Sequence, residues 1–191
     1  MKKAVGIVAS LLACVTLMVS CASAPAGTSA PKKGEPVYGA DGDERPDWAK
    51  NMFYDADDGL YVVEMSKMSS RKSSMEAAKA DGAAELSRTL MQTVKTATQR
   101  YLRDTNVPED ELQMIEQASV SKSEALLVGA KTIGTWVAAD ETVYILYGIP
   151  NGMQAIVDNI NTEAANYAES AKTKLTVKQA KSFIEEAGLN E

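Results

Sequence analysis

The feature that most limits how this chain can fold is its apolar N-terminal segment, which ends in the sequence LMVSC at residues 17–21. Two lysines precede an uncharged apolar run over residues 4–19, and small residues stand on both sides of Cys21. A basic start, an apolar run and a small-residue end are typical of a secretory signal peptide. The run is also shorter than the roughly 20 residues that a membrane-spanning helix needs. We therefore interpret residues 1–20 as a signal peptide that is removed.

Cys21 is the residue that a plain cleavage site does not need. In a lipobox, the thiol of such a cysteine receives a diacylglycerol before cleavage. Met18 stands at position −3, where leucine is the usual residue. We predict lipidation at Cys21, with simple cleavage and an uncleaved leader as the alternatives. Each buried methylene of an acyl chain contributes about 0.8 kcal/mol, so several chains, palmitate among them, would hold the protein stably on a membrane.

The rest of the chain has few side chains suited to chemistry. Its two cysteines, Cys14 and Cys21, both belong to the N-terminal segment, and it has no histidine. Disulfides, thiolate catalysts and cysteine metal sites are therefore excluded from the mature domain. Ser-His-Asp triads, zinc hydrolase sites and haem sites are excluded or strongly disfavoured. No glycine loop of the phosphate-binding type occurs either. We expect no enzyme activity, no cofactor and no metal.

Two short patterns match the S-x-x-K spacing of penicillin-recognising enzymes, in which a serine and an activating lysine share one helical turn. They are Ser69 with Lys72 and Ser119 with Lys122. The partner motifs S-D-N and K-T-G are both missing. A catalytic function is therefore the last of our hypotheses.

Residues 54–59 superficially resemble a calcium-binding loop because they hold three aspartates and a glycine. The glycine comes one place too early, however, and Ser66 stands where such a loop needs a glutamate. We interpret this stretch as an acidic turn before a strand. Trp136, in the middle of a predicted strand, is interpreted as a core or inter-subunit contact.

Charge and composition divide the mature chain into a tether and a domain. Removing the two leader lysines changes the formal charge from −6 to −8, which argues against binding to nucleic acid. Residues 22–44 are rich in Ser, Ala, Gly and Pro without apolar periodicity, so we expect a flexible tether after the lipidated Cys21. Asp41 and Asp43 are interpreted as solvated charges. Residues 45–191 are expected to form one domain.

The domain shows alternating strand and helix patterns. A capping box of Ser73 and Glu76 predicts the start of the longest helix, and the pair at 140–141 predicts the turn of a β-hairpin. The predicted elements are a strand at 60–65, helices at 74–104 and from Pro108, strands at 124–139 and 142–149, a helix after 152, and a helix at 177–187 that ends at Gly188. The buried face of the longest helix is predicted to hold Ala80, Ala83, Leu86, Leu90, Val94, Ala97 and Tyr101. The order β-α-α-β-β-α-α predicts an α+β fold, a small antiparallel three-stranded sheet with helices packed on one face.

Taken together, these features resemble the twenty-kilodalton outer-membrane lipoprotein family, which includes a Helicobacter surface antigen and a lipoprotein of the flagellar basal disk. Besides the lipobox and linker, the resemblance rests on Pro46-Asp47-Trp48, Leu60-Tyr61-Val62-Val63, the alanines at 77, 80, 83 and 84 before Leu86, Leu127-Val128-Gly129-Ala130, Trp136 and Val143-Tyr144-Ile145-Leu146. It covers Pro46 to Ile160 and departs from the family where Glu64-Met65-Ser66 replaces a glycine-bearing turn. The resemblance implies an outer-membrane location, no enzyme activity and, in some members, a self-assembling scaffold linked to flagellar motility.

Two functions of different classes follow as hypotheses. The first is a lipid-anchored structural protein of the cell envelope, with its domain in the periplasm or at the cell surface. It would form homo-oligomers through exposed strand edges and contact envelope or flagellar proteins. The second is a periplasmic binding module that holds a lipid, a small molecule or a cell-wall fragment between sheet and helices.

Overall fold

The computed structural model describes residues 36–56, 58–167 and 174–189. The predicted signal peptide, the lipidation site Cys21 and most of the tether lie outside these residues. The described residues belong to one compact unit, Pro36–Glu191. Its elements are α1 (Asp47–Asn51), β1 (Leu60–Ser66), α2 (Arg71–Asp104), α3 (Glu109–Glu124), a 3-10 helix (Ala125–Gly129), β2 (Lys131–Val137), β3 (Val143–Ile149), α4 (Gly152–Tyr167) and α5 (Val177–Glu186). The α+β class and the element order are confirmed, with α1 as an addition.

The sheet has the order β1-β3-β2, and both strand pairs are antiparallel. The predicted hairpin is confirmed because β2 and β3 pair around the turn at 140–141. The glycines at 129 and 134 predict a bulge or a strong twist, and the register of β2 does shift between Thr132 and Gly134. Because side chains alternate along a strand, Val143 and Ile145 share the face that packs on α2, while Tyr144 points to the opposite face.

Helix α2 buries five of the seven predicted positions, Leu86, Leu90, Val94, Ala97 and Tyr101, which confirms most of the predicted face. The first half of that face is wrong, because alanines 80 and 83 are exposed and Ser74, Ala78 and Gly82 are buried instead, at a spacing that continues to Leu86 and Leu90. A strict four-residue spacing follows one ridge of the helix surface. The sheet accepts only this ridge, since a Cβ at position 82 would already lie 3.2 Å from the Cδ1 atom of a β3 isoleucine.

The start of α2 also differs from the prediction. Ser70 is the N-cap, and its hydroxyl accepts a hydrogen bond of 3.2 Å from the backbone N–H of Ser73. Ser74 then closes the turn, because its hydroxyl accepts from the Met68 N–H at 2.8 Å and donates to the Ser70 carbonyl at 3.0 Å. The helix therefore begins before the expected Ser73–Glu76 box.

The strand predicted from Glu124 is wrong over its first half. Helix α3 continues to Glu124, a 3-10 helix follows, and β2 begins only at Lys131. The reason is the buried side of α3, on which Ser119 and Ser123 follow Leu112 and Ile115 at helical spacing. These residues favour continuation of the helix, and the apolar sequence after them had been interpreted as a strand.

Residues 37–44, predicted to be part of the tether, form a turn that is hydrogen-bonded to the sheet. Tyr38 and Glu44 form a β-bridge, and the Ala40 N–H donates to the Val137 carbonyl at 2.9 Å. The folded unit thus begins at Pro36 and not at Arg45. The long helix α2 packs on one face of the sheet as predicted, and the short helix α1 adds a contact on the other face, where Trp48 lies next to Gly134 of β2. Strand β3 is apolar on both faces, so both faces need a cover.

The C-terminal helices follow the predictions closely. Met153, Ile156, Ile160 and Ala164 are buried on one face of α4, whereas Tyr167 is exposed. Leu175 is held by two hydrogen bonds with the Asn161 side chain, at 2.8 and 2.9 Å. A capping box starts α5, and Gly188 ends it with a φ of +69°. The apolar spacing after residue 152 also predicts Ala171 on this face, but Ala171 lies outside the described residues.

Candidate functional site

The serine-lysine pairs of the sequence are not assembled into a catalytic unit. Ser69 is exposed, and Lys72 faces Glu76 on the surface of α2 at 3.9 Å. Ser119 is completely buried, and its hydroxyl has no hydrogen-bond partner. Lys122 pairs with a glutamate of α4 at 2.9 Å instead of contacting that hydroxyl. Neither serine is therefore activated by the lysine that the spacing placed near it.

The acidic stretch at 54–59 is used for packing and ion pairing. Asp55 pairs with Lys181 of α5 at 3.1 Å, and the ring of Tyr54 meets the ring of Tyr61 edge-on at 5.1 Å. Asp57 lies outside the described residues. Within the part of the chain that the structure describes, no three acidic, cysteine or histidine side chains are grouped to hold a metal ion.

Trp136 is part of the interior of this one chain. Only 5 % of its surface is exposed, and its indole N–H donates to the Asp43 carbonyl at 3.2 Å. The guanidinium of Arg45 stacks on the rings of Trp136 and Tyr144, at 5.4 and 5.1 Å. The interpretation of Trp136 as a core residue is confirmed, and its indole is covered by the segment that includes Arg45.

A cluster of ion pairs fixes the hairpin turn to the rest of the domain. Arg71 bonds Asp41 at 2.9 and 3.1 Å and Glu141 at 3.0 and 3.1 Å, so Asp41 is paired and not merely solvated as predicted. These bonds raise the pKa of Arg71 and lower that of Glu141. Lys67 bonds Asp140 at 2.8 Å and lowers the pKa of that carboxyl to about 2. The cluster has a structural role because each charge already has a partner.

A groove beside β1 is the best candidate for a binding site. We call it the β1 groove; its volume is about 290 Å³. Its walls come from β1, the residues 52–56 before β1, the middle of α2, and α5. A cavity of this size suits a few side chains or a short segment, and is small for a nucleotide-sized cofactor.

One end of the β1 groove is apolar. Its floor consists of Leu60, Val62, Met153 and Ile184, which belong to the main core cluster. Large apolar side chains remain exposed at the rim, namely Met52, Phe53, Tyr54 and Leu189. Phe53 is a large apolar residue beside a turn, which predicts that it docks the chain entry onto the domain, but 46 % of it is exposed. Apolar groups that stay exposed around a cavity are typical of a binding surface.

The other end of the β1 groove is acidic. Glu64, on the α2-facing side of β1, is half-buried, and this burial raises the pKa of its carboxyl. The nearby carboxylates of Glu85 and Asp81 raise this pKa further, while Arg88 opposes them. Arg88 is itself engaged in an ion pair with Glu85. The groove therefore presents negative charge that a cationic group would stabilise.

The β1 groove is not predictable from the sequence alone. Local patterns predict the strand at 60–65, but none of them brings α5 next to it. Two signals were present: the apolar run Met52-Phe53-Tyr54, and a glutamate at an inward position of a strand otherwise filled by Leu60 and Val62. An inward charge is one device that proteins use on edge strands.

Comparison with known proteins adds no relative. No family model, no curated protein and no solved structure matches this chain. The resemblance to the twenty-kilodalton lipoprotein family therefore stays a prediction. Among the helices of the described residues, none is both long and apolar enough to cross a membrane.

Proposed function

We propose that this protein is a non-enzymatic lipoprotein of the bacterial outer membrane, anchored by lipid on Cys21, with its domain in the periplasm or at the cell surface. In this proposal the domain is a structural component that self-associates and is linked to flagellar motility. The leader and Cys21 support the anchor, and the family resemblance supports the location and the flagellar link.

The observation that carries the self-association is the apolar surface at the beginning of β2. Val128, in the 3-10 helix before β2, exposes 92 % of its surface, and Ile133, at the bulge within β2, exposes 40 %. Single exposed apolar residues are common, but two at one edge favour a contact with a second molecule. Homo-oligomers reuse such a surface through symmetry, so a second copy is the partner we propose.

The anchor is tested by replacing the thiol. Cells that express the wild-type chain or a Cys21→Ser variant are grown with radiolabelled palmitate, and their membranes are separated by density. The proposal predicts label and outer-membrane recovery for the wild type and neither for the variant. A Cys14→Ser variant is the matched control and should behave like the wild type.

The proposed contact is tested by cysteine crosslinking in intact cells. The mature domain has no cysteine beyond Cys21, so one introduced thiol reports one position. Val128→Cys and Ile133→Cys should give disulfide-linked dimers under mild oxidation. Met68→Cys is the control, since Met68 is also exposed but follows the end of β1, beside the hairpin turn. Equal crosslinking at all three positions would indicate random collision and contradict the proposal.

The β1 groove favours a second candidate function, a periplasmic binding module for a lipid, a small molecule or a cell-wall fragment. Its exposed apolar rim and half-buried Glu64 are the supporting observations. A ligand that binds only the folded state raises the unfolding temperature. Thermal shifts with phospholipids, muropeptides and small metabolites would identify the class, and mass spectrometry of the purified protein would detect a ligand that co-purifies.

A further inference from the structure

The free side of β1 faces the β1 groove. Within the described residues, β1 pairs with β3 along its whole length, from Leu60 opposite Ile149 to Ser66 opposite Val143, and with no other strand. Residues 60–64 line the groove. An edge strand carries a row of backbone N–H and C=O groups that can pair with a further strand. The groove is thus placed where one more strand would add to the sheet.

The walls of the β1 groove select the kind of chain that can enter. On one side stand α2 and α5, and on the other stand residues 52–56. Lys181 of α5 joins these sides beside the start of β1, since its ammonium bonds Asp55 at 3.1 Å and the Ala56 carbonyl at 3.4 Å. The edge of a second sheet would bring its own covering helices and collide with these walls. A single extended segment has no such layers and fits between them.

The side chains of β1 specify a pattern for that segment. Leu60, Val62 and Glu64 share the face that points to α2, because residues two apart lie on one face of a strand. The side chains of an added strand would stand directly opposite them and interact as cross-strand pairs. Two apolar residues suit the positions opposite Leu60 and Val62. A basic residue suits the position opposite Glu64, where it would meet a half-buried carboxyl.

We propose that the β1 groove binds an extended segment of a partner protein, which adds to β1 as an antiparallel strand and places a lysine or arginine at Glu64. Antiparallel addition matches the two existing strand pairs and orders the segment as basic-x-apolar-x-apolar. The β1 groove is a different surface from the one at Val128 and Ile133 that we propose for self-association. Failure of either proposal therefore leaves the other standing.

The test uses the full-length lipidated chain in detergent micelles and three short fluorescent peptides. The first has the core Lys-Thr-Val-Thr-Ile, the second has Glu in place of Lys, and the third, Lys-Val-Thr-Ile-Thr, puts its apolar residues on the wrong face. Fluorescence anisotropy should show that the first peptide binds about tenfold more tightly than the second, as expected for one charge-assisted contact. It should also bind about tenfold more tightly than the third, whose apolar residues lose their contacts with Leu60 and Val62. Hydrogen exchange should slow in residues 60–66 and not in β2.

Two variants locate the charge. Glu64→Gln should weaken the first peptide about tenfold and leave the second unchanged or slightly tighter, since the repulsion between the two carboxylates is gone. Glu76→Gln is the matched control, because Glu76 also belongs to α2 but does not line the groove. It should not change the affinity for either peptide. If the Glu64 variant folds poorly, the affinities of the three peptides for the wild-type protein still test the proposal.

Several results would overturn the proposal. These are equal binding of the three peptides, no binding by any of them, or protection from exchange outside residues 60–66. Protection of the groove by phospholipid vesicles or muropeptides, with no response to the first peptide, would assign it to those ligands instead.

Discussion

The two edges of the sheet are protected in different ways. Strand β2 is interrupted by a bulge between Thr132 and Gly134, and its end is capped where the Ala40 N–H bonds the Val137 carbonyl. Strand β1 has neither device, because all seven of its residues pair with β3 in unbroken register. Its protection comes from side chains and walls, namely the inward Glu64 and the helices beside it.

The β2 edge is therefore closed to any added strand, whereas the β1 edge accepts only some strands. A bulge and a backbone cap remove ladder positions for every incoming strand. A charged groove removes them only for strands that cannot place a cation at Glu64. We therefore assign partner binding to the β1 edge and side-chain contacts with a second copy to the β2 edge.

The largest expected loss of stability is that of Gly148→Ala, because the added methyl group should push β1 away from β3. A Cβ at this position of β3 would lie 2.5 Å from the Leu60 carbonyl oxygen and 3.0 Å from the Tyr61 Cα, and both atoms belong to the backbone of β1. Overpacking of this kind costs about 3 kcal/mol. Urea denaturation followed by circular dichroism measures the loss.

Gly129→Ala is the control for this substitution, because a Cβ at Gly129 would have no neighbour within 4 Å. Its free energy of unfolding should stay within about 0.5 kcal/mol of the wild type. Equal losses for Gly148→Ala and Gly129→Ala would show that the close approach of β1 to β3 is not what holds this edge.

The next largest effect is expected for Gly39→Ala at the β2 edge. A Cβ there would overlap the Val137 carbonyl oxygen and lie 2.9 Å from the Trp136 indole nitrogen. We expect residues 37–44 to detach from the sheet at a cost of about 1 kcal/mol. Hydrogen exchange should then accelerate in β2 and remain unchanged in β1. Equal acceleration in both strands would contradict independent protection of the two edges.

A smaller effect is expected for Asp140→Asn at the hairpin turn. The wild-type carboxyl pairs with Lys67, with side chains 59 % and 57 % exposed, so the pair contributes about 0.5 kcal/mol. Its pKa of about 2 lies below the ordinary value of 3.8. The contribution is therefore complete above pH 4 and is lost as the pH falls through about 2. Urea unfolding at pH 6 should give a higher free energy of unfolding for the wild type than for the variant. This difference in free energy should stay constant down to the pKa of the unfolded state and shrink below it.

The smallest expected effect, of opposite sign, is that of Glu64→Gln on the unbound protein. Burial and the neighbouring carboxylates raise the pKa of Glu64, so the folded state holds a proton there more tightly than the unfolded state. Ionised Glu64 thus destabilises the fold at pH 7, and the variant should be more stable by a few tenths of a kcal/mol. The advantage should disappear as the pH falls through the raised pKa. A variant less stable than the wild type at pH 7 would contradict the conclusion that burial and the neighbouring carboxylates make ionised Glu64 destabilising.

The parts of the fold that the sequence predicts well are those specified by neighbouring residues. The turn at 140–141, the strand after it and the end of α5 at Gly188 depend on local chemistry, which the sequence displays directly. The buried face of α2 depends on the sheet surface. Only the contact with β3 decides between Gly82 and the alanines beside it.

The β1 groove could not be predicted for the same reason. Its apolar end joins Leu60, Met153 and Ile184, which lie far apart in the chain and meet only in the packed domain. Docking of residues 37–44 was missed because these residues carry no apolar periodicity. They are held by backbone hydrogen bonds and by the pairing of Asp41 with Arg71.

The most direct test of the central claim, self-association of the domain, is the solution mass of residues 36–191 by light scattering behind a sizing column. We predict a discrete oligomer whose mass falls towards that of the monomer in Ile133→Lys and is unchanged in Glu64→Gln. A wild-type domain that stays monomeric at every accessible concentration would contradict self-association.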